Sequence, residues 1–223
     1  MNVQLHCTGR SDGSCLVRQS DSLYIAAVHG PRQCSMKKRD HEQLRIAYVF
    51  RCKTRTKHNR TNEFLLRTVL NYAVDRKLFP RQQLTCNVQE LEVQRNNSAP
   101  SVNALCLSLL DAAVPMNHLF CGVHVNVEND VPSVVTGIEQ QTTPECSFLF
   151  VFKPSLISTG ELIASSNTGK FTMVQYERAL EKAKEFCLPI FDFYREEMTK
   201  KFTNKLSYGL SAKGARSKKK ETS

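Results

Sequence analysis

The sequence predicts an α+β domain in which mixed sheets pack with helices, and three observations carry that prediction. Short apolar or alternating runs read as strands, three longer segments carry apolar residues at helical spacing, and no Pro/Gly/Ser-rich linker breaks the order strands, helix, strand, helix, strands, helix. A chain of 223 residues, 41% hydrophobic and 23% charged, has enough apolar material for one substantial core. No run reaches the roughly 18 apolar residues of a membrane span, and the opening MNVQLHCTGRSDG lacks the basic-then-apolar order of a signal peptide. Neither a membrane partner nor secretion is expected.

The runs CLVRQ, SLYIAAVHGP and LRIAYVFRC, separated by Ser, Asp and a polar loop, predict three strands. TNEFLLRTVLNYAVDRKLF places Phe64, Leu65, Val69 and Ala73 at helical spacing, with Thr61 as cap and Pro80 beyond the end, which predicts a helix over 61–78. QLTCNVQELEV then alternates as a strand. In RNNSAPSVNALCLSLLDAAVPM, Ser98 is the expected cap and Pro100 sits in the first turn, where a missing N–H costs nothing. Val102, Leu105, Cys106, Leu109 and Leu110 give this second helix its apolar face. LFCGVHVNVE, PSVVTGIE, CSFLFVFK and ELIASSNTG predict a second group of strands. The last helix begins near Thr172, with a core stripe at Met173, Tyr176, Leu180, Ala183 and Cys187, and Pro189 is expected to kink or divide it.

Nine cysteines, odd in number and never closer than eight residues apart, include no CxxC pair, and several sit in apolar runs. This pattern fits a reducing cytosolic or nuclear setting rather than a disulfide framework. His118, Cys121 and His124 have metal-ligand chemistry, but HLFCGVHV reads as a strand that points Cys121 away from the histidines, so no metal is expected there. The formal net charge is +10, yet residues 200–223 hold seven lysines and Arg216 against Glu221, a net +7 that leaves +3 for the body. The chain therefore divides into a domain over 1–203 and a basic tail over 204–223 that is expected to be disordered. Such a tail either solubilises the chain or touches phosphates nonspecifically, and its SKKK cluster suits nuclear import.

These residues resemble the RNase PH family, which includes RNase PH and the RNase PH-like ring subunits of the eukaryotic RNA exosome. GRSDGSCLVRQSDSLYIAAVHGPRQ is similar to the family's Arg-x-Asp-Gly opening and its strand ending in Gly-Pro, here Gly30 and Pro31. NEFLLRTVLNYAVDRKLFPRQQLTCNVQEL resembles its first helix, Pro-Arg turn and next strand, NALCLSLLDAAVPM its second helix, and FDFYREEM its last. The likeness spans residues 8–200 and is nearest to the exosome branch similar to the nematode cell-death-related nucleases. It implies an RNase PH-like fold, other RNase PH-like exosome subunits as partners, a homodimer when isolated, and RNA as ligand. It also implies a place in the nucleus, nucleolus and cytoplasm, with processing of RNA including rRNA. The branch adds DNA as a second ligand, another nuclease as a further partner, and apoptotic DNA degradation as a second setting.

Active phosphorolytic members of that family place Gly-Gly-Thr-Arg before the second helix to hold the attacking phosphate; the matching segment here is Arg95, Asn96, Asn97 and Ser98, without that arginine. The resemblance thus implies a degraded phosphate site at Asn97 and Ser98. Family members also place two Asp six residues apart before a later strand, and Glu139 and Glu145 stand at that spacing as the only catalytic candidates. RCKTRTKHNR supplies Arg51, Lys53, Arg55, Lys57 and Arg60 with no acid, and the family binds RNA backbone at this place. Alternation puts Arg51, Lys53, Arg55 and Lys57 on one face of an extended segment, and Arg67 in the first helix either joins them or anchors that helix to a carboxylate. With no aromatic interleaved, contact is expected to the backbone rather than to bases. The expected function is a non-catalytic ring subunit that binds RNA and supports 3'–5' processing and degradation, without cofactor. The alternative is an active nuclease, phosphorolytic on RNA with phosphate or hydrolytic on DNA with Mg2+.

Overall fold

The computed structural model describes residues 1–52, 57–92, 97–128, 130–135, 145–155 and 160–218, with side chains of 57–59 and 204–218 outside the description. Two sheets and three helices follow the predicted order. Strands β1 (Asn2–Leu5), β2 (Gly13–Gln19), β3 (Ser22–Gln33), β4 (Arg45–Arg51) and β5 (Gln82–Glu92) form one sheet in the order β1-β2-β3-β5-β4. Strands β6 (Cys121–Glu128), β7 (Val131–Val134), β8 (Cys146–Lys153) and β9 (Glu161–Gly169) form the other, in the order β7-β6-β8-β9. Every pairing is antiparallel except β4 with β5, which are parallel because helix α1 (Lys57–Ala73) carries the chain from one to the other.

Helix α2 (Ala99–Asp111) is the centre of the core. It packs on β2, β3 and β5 of the first sheet and on β6 and β8 of the second, and every one of its residues except Leu110 is buried. A helix enclosed on all sides needs small polar side chains whose hydroxyls return to its own carbonyls. Ser101 Oγ accordingly donates to Ser98 O at 2.6 Å and Ser108 Oγ to Leu105 O at 2.8 Å. Gly13 lets β2 close onto the end of this helix, since a Cβ there would fall on the backbone N of Ala112 and O of Ser108. Helix α3 (Met173–Lys218) covers the opposite face of β6, and so β6 reads Cys121, Gly122, Val123, His124 and Val125 with all five buried.

Several boundaries differ from the sequence expectation. Helix α1 begins at Lys57, four residues before Thr61, so Thr61 is a helical residue and not its cap. It ends at Ala73 rather than 78, because Asn117 N donates to Ala73 O at 2.8 Å and Asp75 N to Pro115 O at 3.2 Å, so tertiary bonds replace the next helical turn. Its core face is Leu65, Leu66, Val69, Leu70 and Ala73, while Phe64 is 72% exposed. Met173 is likewise 66% exposed, and the buried stripe of α3 runs through Ala179, Ala183, Cys187, Phe191 and Tyr194. Pro189 does not divide α3, whose helical backbone runs on to Lys218, past the expected domain end at 203. Pro189 is exposed, and the helix runs on through it. Strand β1, absent from the sequence reading, pairs with β2 from Asn2↔Arg18 to Leu5↔Cys15.

Candidate nucleic-acid interface and phosphate site

The start of α2 is closed by its own chain. Ser98 occupies the N-cap position in helical φ/ψ, and its side chain makes no cap bond; its Oγ accepts a hydrogen bond from Asn62 Nδ2 of α1 at 2.6 Å instead. The capping falls to Asn97, whose Oδ1 accepts from Ala99 N–H at 3.1 Å. Ser101 N–H donates to Ser98 O at 3.1 Å, and Pro100 has no N–H to give. Asn97 O in turn accepts the Tyr24 hydroxyl at 3.3 Å, which ties this turn to β3. Burial pushes the Tyr24 hydroxyl well up from its ordinary range. The amides that an anion would use are thus taken or missing, and Asn97 and Ser98 are both buried. Asn97 Nδ2, buried and without a partner among the described residues, is the one donor left over. Arg95 and Asn96 lie outside the described residues.

The Arg-x-Asp-Gly opening builds a clip. Asp12 accepts Gly30 N–H at 2.7 Å and pairs with Arg32 Nη2 at 3.1 Å, and its carboxyl is held below the usual range first by the Gly30 N–H and then by the Arg32 charge. Gly30 takes φ +108, which a side chain would resist. Arg10 is exposed. This motif therefore fixes the β2–β3 end of the sheet.

The basic residues are dispersed over two elements. Arg51 is the exposed last residue of β4, and Arg60 and Arg67 are exposed on α1, seven residues apart and therefore on one face of that helix. Lys57 is the first residue of α1 and not part of an extended segment, which corrects the expected alternation at that position; its side chain is outside the description. Lys53 and Arg55 lie outside the described residues. Arg67 forms no ion pair with any described residue, so its anchoring to a carboxylate is not observed among them. Glu145 is exposed immediately before β8, and Glu139 lies outside the described residues.

Two polar groups that the sequence reading missed position this region. Asn103, wholly buried in α2, accepts Gly122 N–H at 2.8 Å and the Tyr194 hydroxyl at 2.8 Å, and so joins α2 to β6 and α3. Asp111, at the end of α2, accepts Ser14 N–H at 2.8 Å and pairs with Lys201 of α3. The available signal was an Asn and an Asp inside an otherwise apolar helical pattern, since buried polar groups must find partners. Their partners, however, lie up to 97 residues away. All nine cysteines are free; seven are buried, and Cys121 Sγ and Cys187 Sγ approach to 3.5 Å.

The family model described as "3' exoribonuclease family, domain 1", of the RNase PH type, matches residues 1–115. The chain is 23% identical over 203 residues to the exosome complex component RRP46 homolog of Caenorhabditis elegans, covering 91% of this chain and 95% of that protein. It is 24% identical over 222 residues to the exosome complex component RRP41 homolog of Arabidopsis thaliana, covering 94% and 90%. The crystal structure of rice Rrp46 superposes with a TM-score of 0.80 at 22% identity, covering 89% of this chain and 93% of that one. The Archaeoglobus fulgidus exosome with RNA bound to the active site gives 0.69 at 10% identity, covering 86% and 87%.

Proposed function

Because the chain belongs to the RNase PH-type 3' exoribonuclease family, we propose that it works as a ring subunit of an exosome-type assembly, binding RNA for 3'–5' processing and degradation without cleaving it. One observation carries the non-catalytic reading: the first-turn amides of α2, where active relatives hold phosphate, are used by Asn97 and Ser98 or lost to Pro100. Partners are other RNase PH-like subunits, in keeping with the named complexes of its relatives. Large apolar side chains left exposed on several elements, among them Phe64, Val131, Met173 and Phe202, suit such neighbours, and the isolated chain dimerises. Its sites of action are those of exosome-type RNA processing, the nucleus with its nucleolus and the cytoplasm.

The RNA contact of this reading is the basic segment of Arg51, Lys53, Arg55, Lys57 and Arg60, with Arg67 continuing it along α1, and the 204–223 tail adding weaker nonspecific contact. The test incubates pure protein with labelled RNA, with and without phosphate, and with DNA plus divalent metal. Binding without product is the expected result. Phosphate-dependent release of nucleoside diphosphates overturns the non-catalytic reading. The second reading, DNA hydrolysis, draws on the position of Glu145 before β8 with Glu139 six residues earlier; metal-dependent DNA cleavage lost in Glu145→Gln would establish it. For the binding segment, reversal of Arg55, Lys57 and Arg60 to Glu should lower the slope of log affinity against log salt by about two, at about 0.7 per contact, while deletion of 206–223 weakens binding modestly. Loss of binding with the tail alone would overturn it.

A further inference from the structure

A cleft of about 710 Å³ opens between the segment joining β3 to β4 and the later turns of α1, and cations from separate parts of the chain line it: Lys37, Lys38, Arg39, Arg45, Arg67 and Arg76. Two acids share the lining, Asp40 and Glu42, and Asp40 accepts Glu42 N–H at 3.0 Å and Gln43 N–H at 3.3 Å; six cations against two acids leave the lining a formal excess of four positive charges. None of the six cations forms an ion pair with a described residue. Three of them are instead held by backbone carbonyls. Arg39 Nη2 donates to Cys34 O at 3.4 Å, Arg45 Nη1 to Lys38 O at 3.2 Å and Arg76 Nε to Leu44 O at 3.0 Å. Neutral acceptors orient a guanidinium without cancelling its charge, so the cleft keeps a concentrated positive potential.

The chemistry that suits this cleft is a run of phosphates. Phosphate oxygens accept from the guanidinium and ammonium donors left over, and no Phe, Tyr or Trp lines the cleft, so His41 is its single ring beside the cations. Its position points the same way. Arg67 stands two turns beyond Arg60 on the same face of α1, about 10 Å along the axis, and so joins the cleft to the proposed RNA path. We propose that the cleft is a second stretch of backbone-phosphate contacts, which lengthens the footprint of a single strand beyond Arg51 and Arg60. This rests on the RNA-binding reading above.

The test compares the wild-type chain, Lys37→Glu/Lys38→Glu/Arg45→Glu and the Arg55/Lys57/Arg60 reversal by fluorescence anisotropy. Single-stranded RNA of about 6 and about 16 nucleotides spans the range of known single-strand footprints. The three cleft positions are exposed, and circular dichroism checks the fold of each variant. The wild type should bind the long strand at least tenfold more tightly than the short one. The cleft variant should lose that advantage, and its salt slope on the long strand should fall by about two, three contacts at about 0.7 each. Wild-type affinity and slope in the cleft variant, with binding lost in the path reversal, overturns the cleft alone. A wild-type chain that binds neither strand overturns the RNA-binding reading itself.

Discussion

Asp111 gives a quantitative test of how the central helix is held. Its carboxylate is wholly shielded from water, accepts Ser14 N–H at 2.8 Å, and pairs with the Lys201 ammonium, whose side chain is only 13% exposed. Lys201 Nζ also donates to the Asp111 carbonyl at 3.2 Å, so a cation sits at the negative end of α2 where a lone carboxylate would be unfavourable. Asp111→Ala leaves the Lys201 charge without its counter-ion and the buried Ser14 N–H without an acceptor. Removing one member of a buried pair costs about 3–5 kcal/mol, and the orphaned amide accounts for about 1–3 of that. Because the Lys201 stem can swing its ammonium toward water, the expected loss is about 4 kcal/mol, which for a chain of this size lowers Tm by about 8–16 °C. Urea titration gives the free energy and calorimetry the midpoint. Asp111→Ala/Lys201→Met should recover part of the loss, since the stranded charge is gone and only the amide remains unsatisfied. A loss below about 1 kcal/mol in Asp111→Ala, or no recovery in the double variant, would refute the assignment of this pair as the clamp between α2 and α3.

Gly13→Ala places its Cβ on the backbone of α2 at Ala112 and Ser108, where nothing can rotate away, so unfolding studies should show a loss of about 3 kcal/mol or more. Tyr194→Phe removes one hydrogen bond and leaves Asn103 Oδ1 bound to Gly122 N–H, a loss of about 1 kcal/mol, whereas Asn103→Ala strands both donors and should cost about 3 by the same measurement. Burial pushes the His124 imidazole down to about 4. Its folded pKa lies below the unfolded 6.5, so the unfolded chain binds the extra proton first; stability is full above about pH 6.5 and falls as pH drops toward 4. The full window is worth about 3 kcal/mol. Denaturant midpoints between pH 7 and pH 4.5 should show this fall in the wild type and a flatter one in His124→Gln; parallel curves would assign the acid sensitivity to other groups.

How much was legible in the sequence depends on the range of the interaction that produces each feature. The alternation of Tyr24, Ala26 and Val28 in β3 and of Leu84, Cys86 and Val88 in β5 is local, and both strands stand where the pattern puts them. The element order likewise followed from runs read along the chain, and the RNase PH-like architecture followed from the family resemblance. Phe64 and Met173 were misplaced, because periodicity shows that a helix has an apolar side but not where its edge meets the neighbouring sheet. The end of α1 was misplaced because the groups that terminate it, Pro115 and Asn117, follow α2. Strand β1 was passed over because the exposure of Asn2 and Gln4 gives an edge strand a weak apolar signal.

At the candidate sites the division is similar. The composition of the 51–60 segment could be read directly from the residues, and the arginine missing before α2 from the family resemblance. That Asn97 rather than Ser98 caps α2, that Asn62 reaches Ser98 from α1, and that Lys37, Arg45, Arg67 and Arg76 surround one cleft could not. Hydrogen-bond partners and charge density depend on which surfaces meet in space. The sequence by itself determined the order and type of the elements other than β1, since propensity and apolar period act over a few residues. Only the tertiary structure decided which carbonyl, amide or cation each polar side chain faces, because those pairings join groups tens of residues apart that come together when both sheets close on α2.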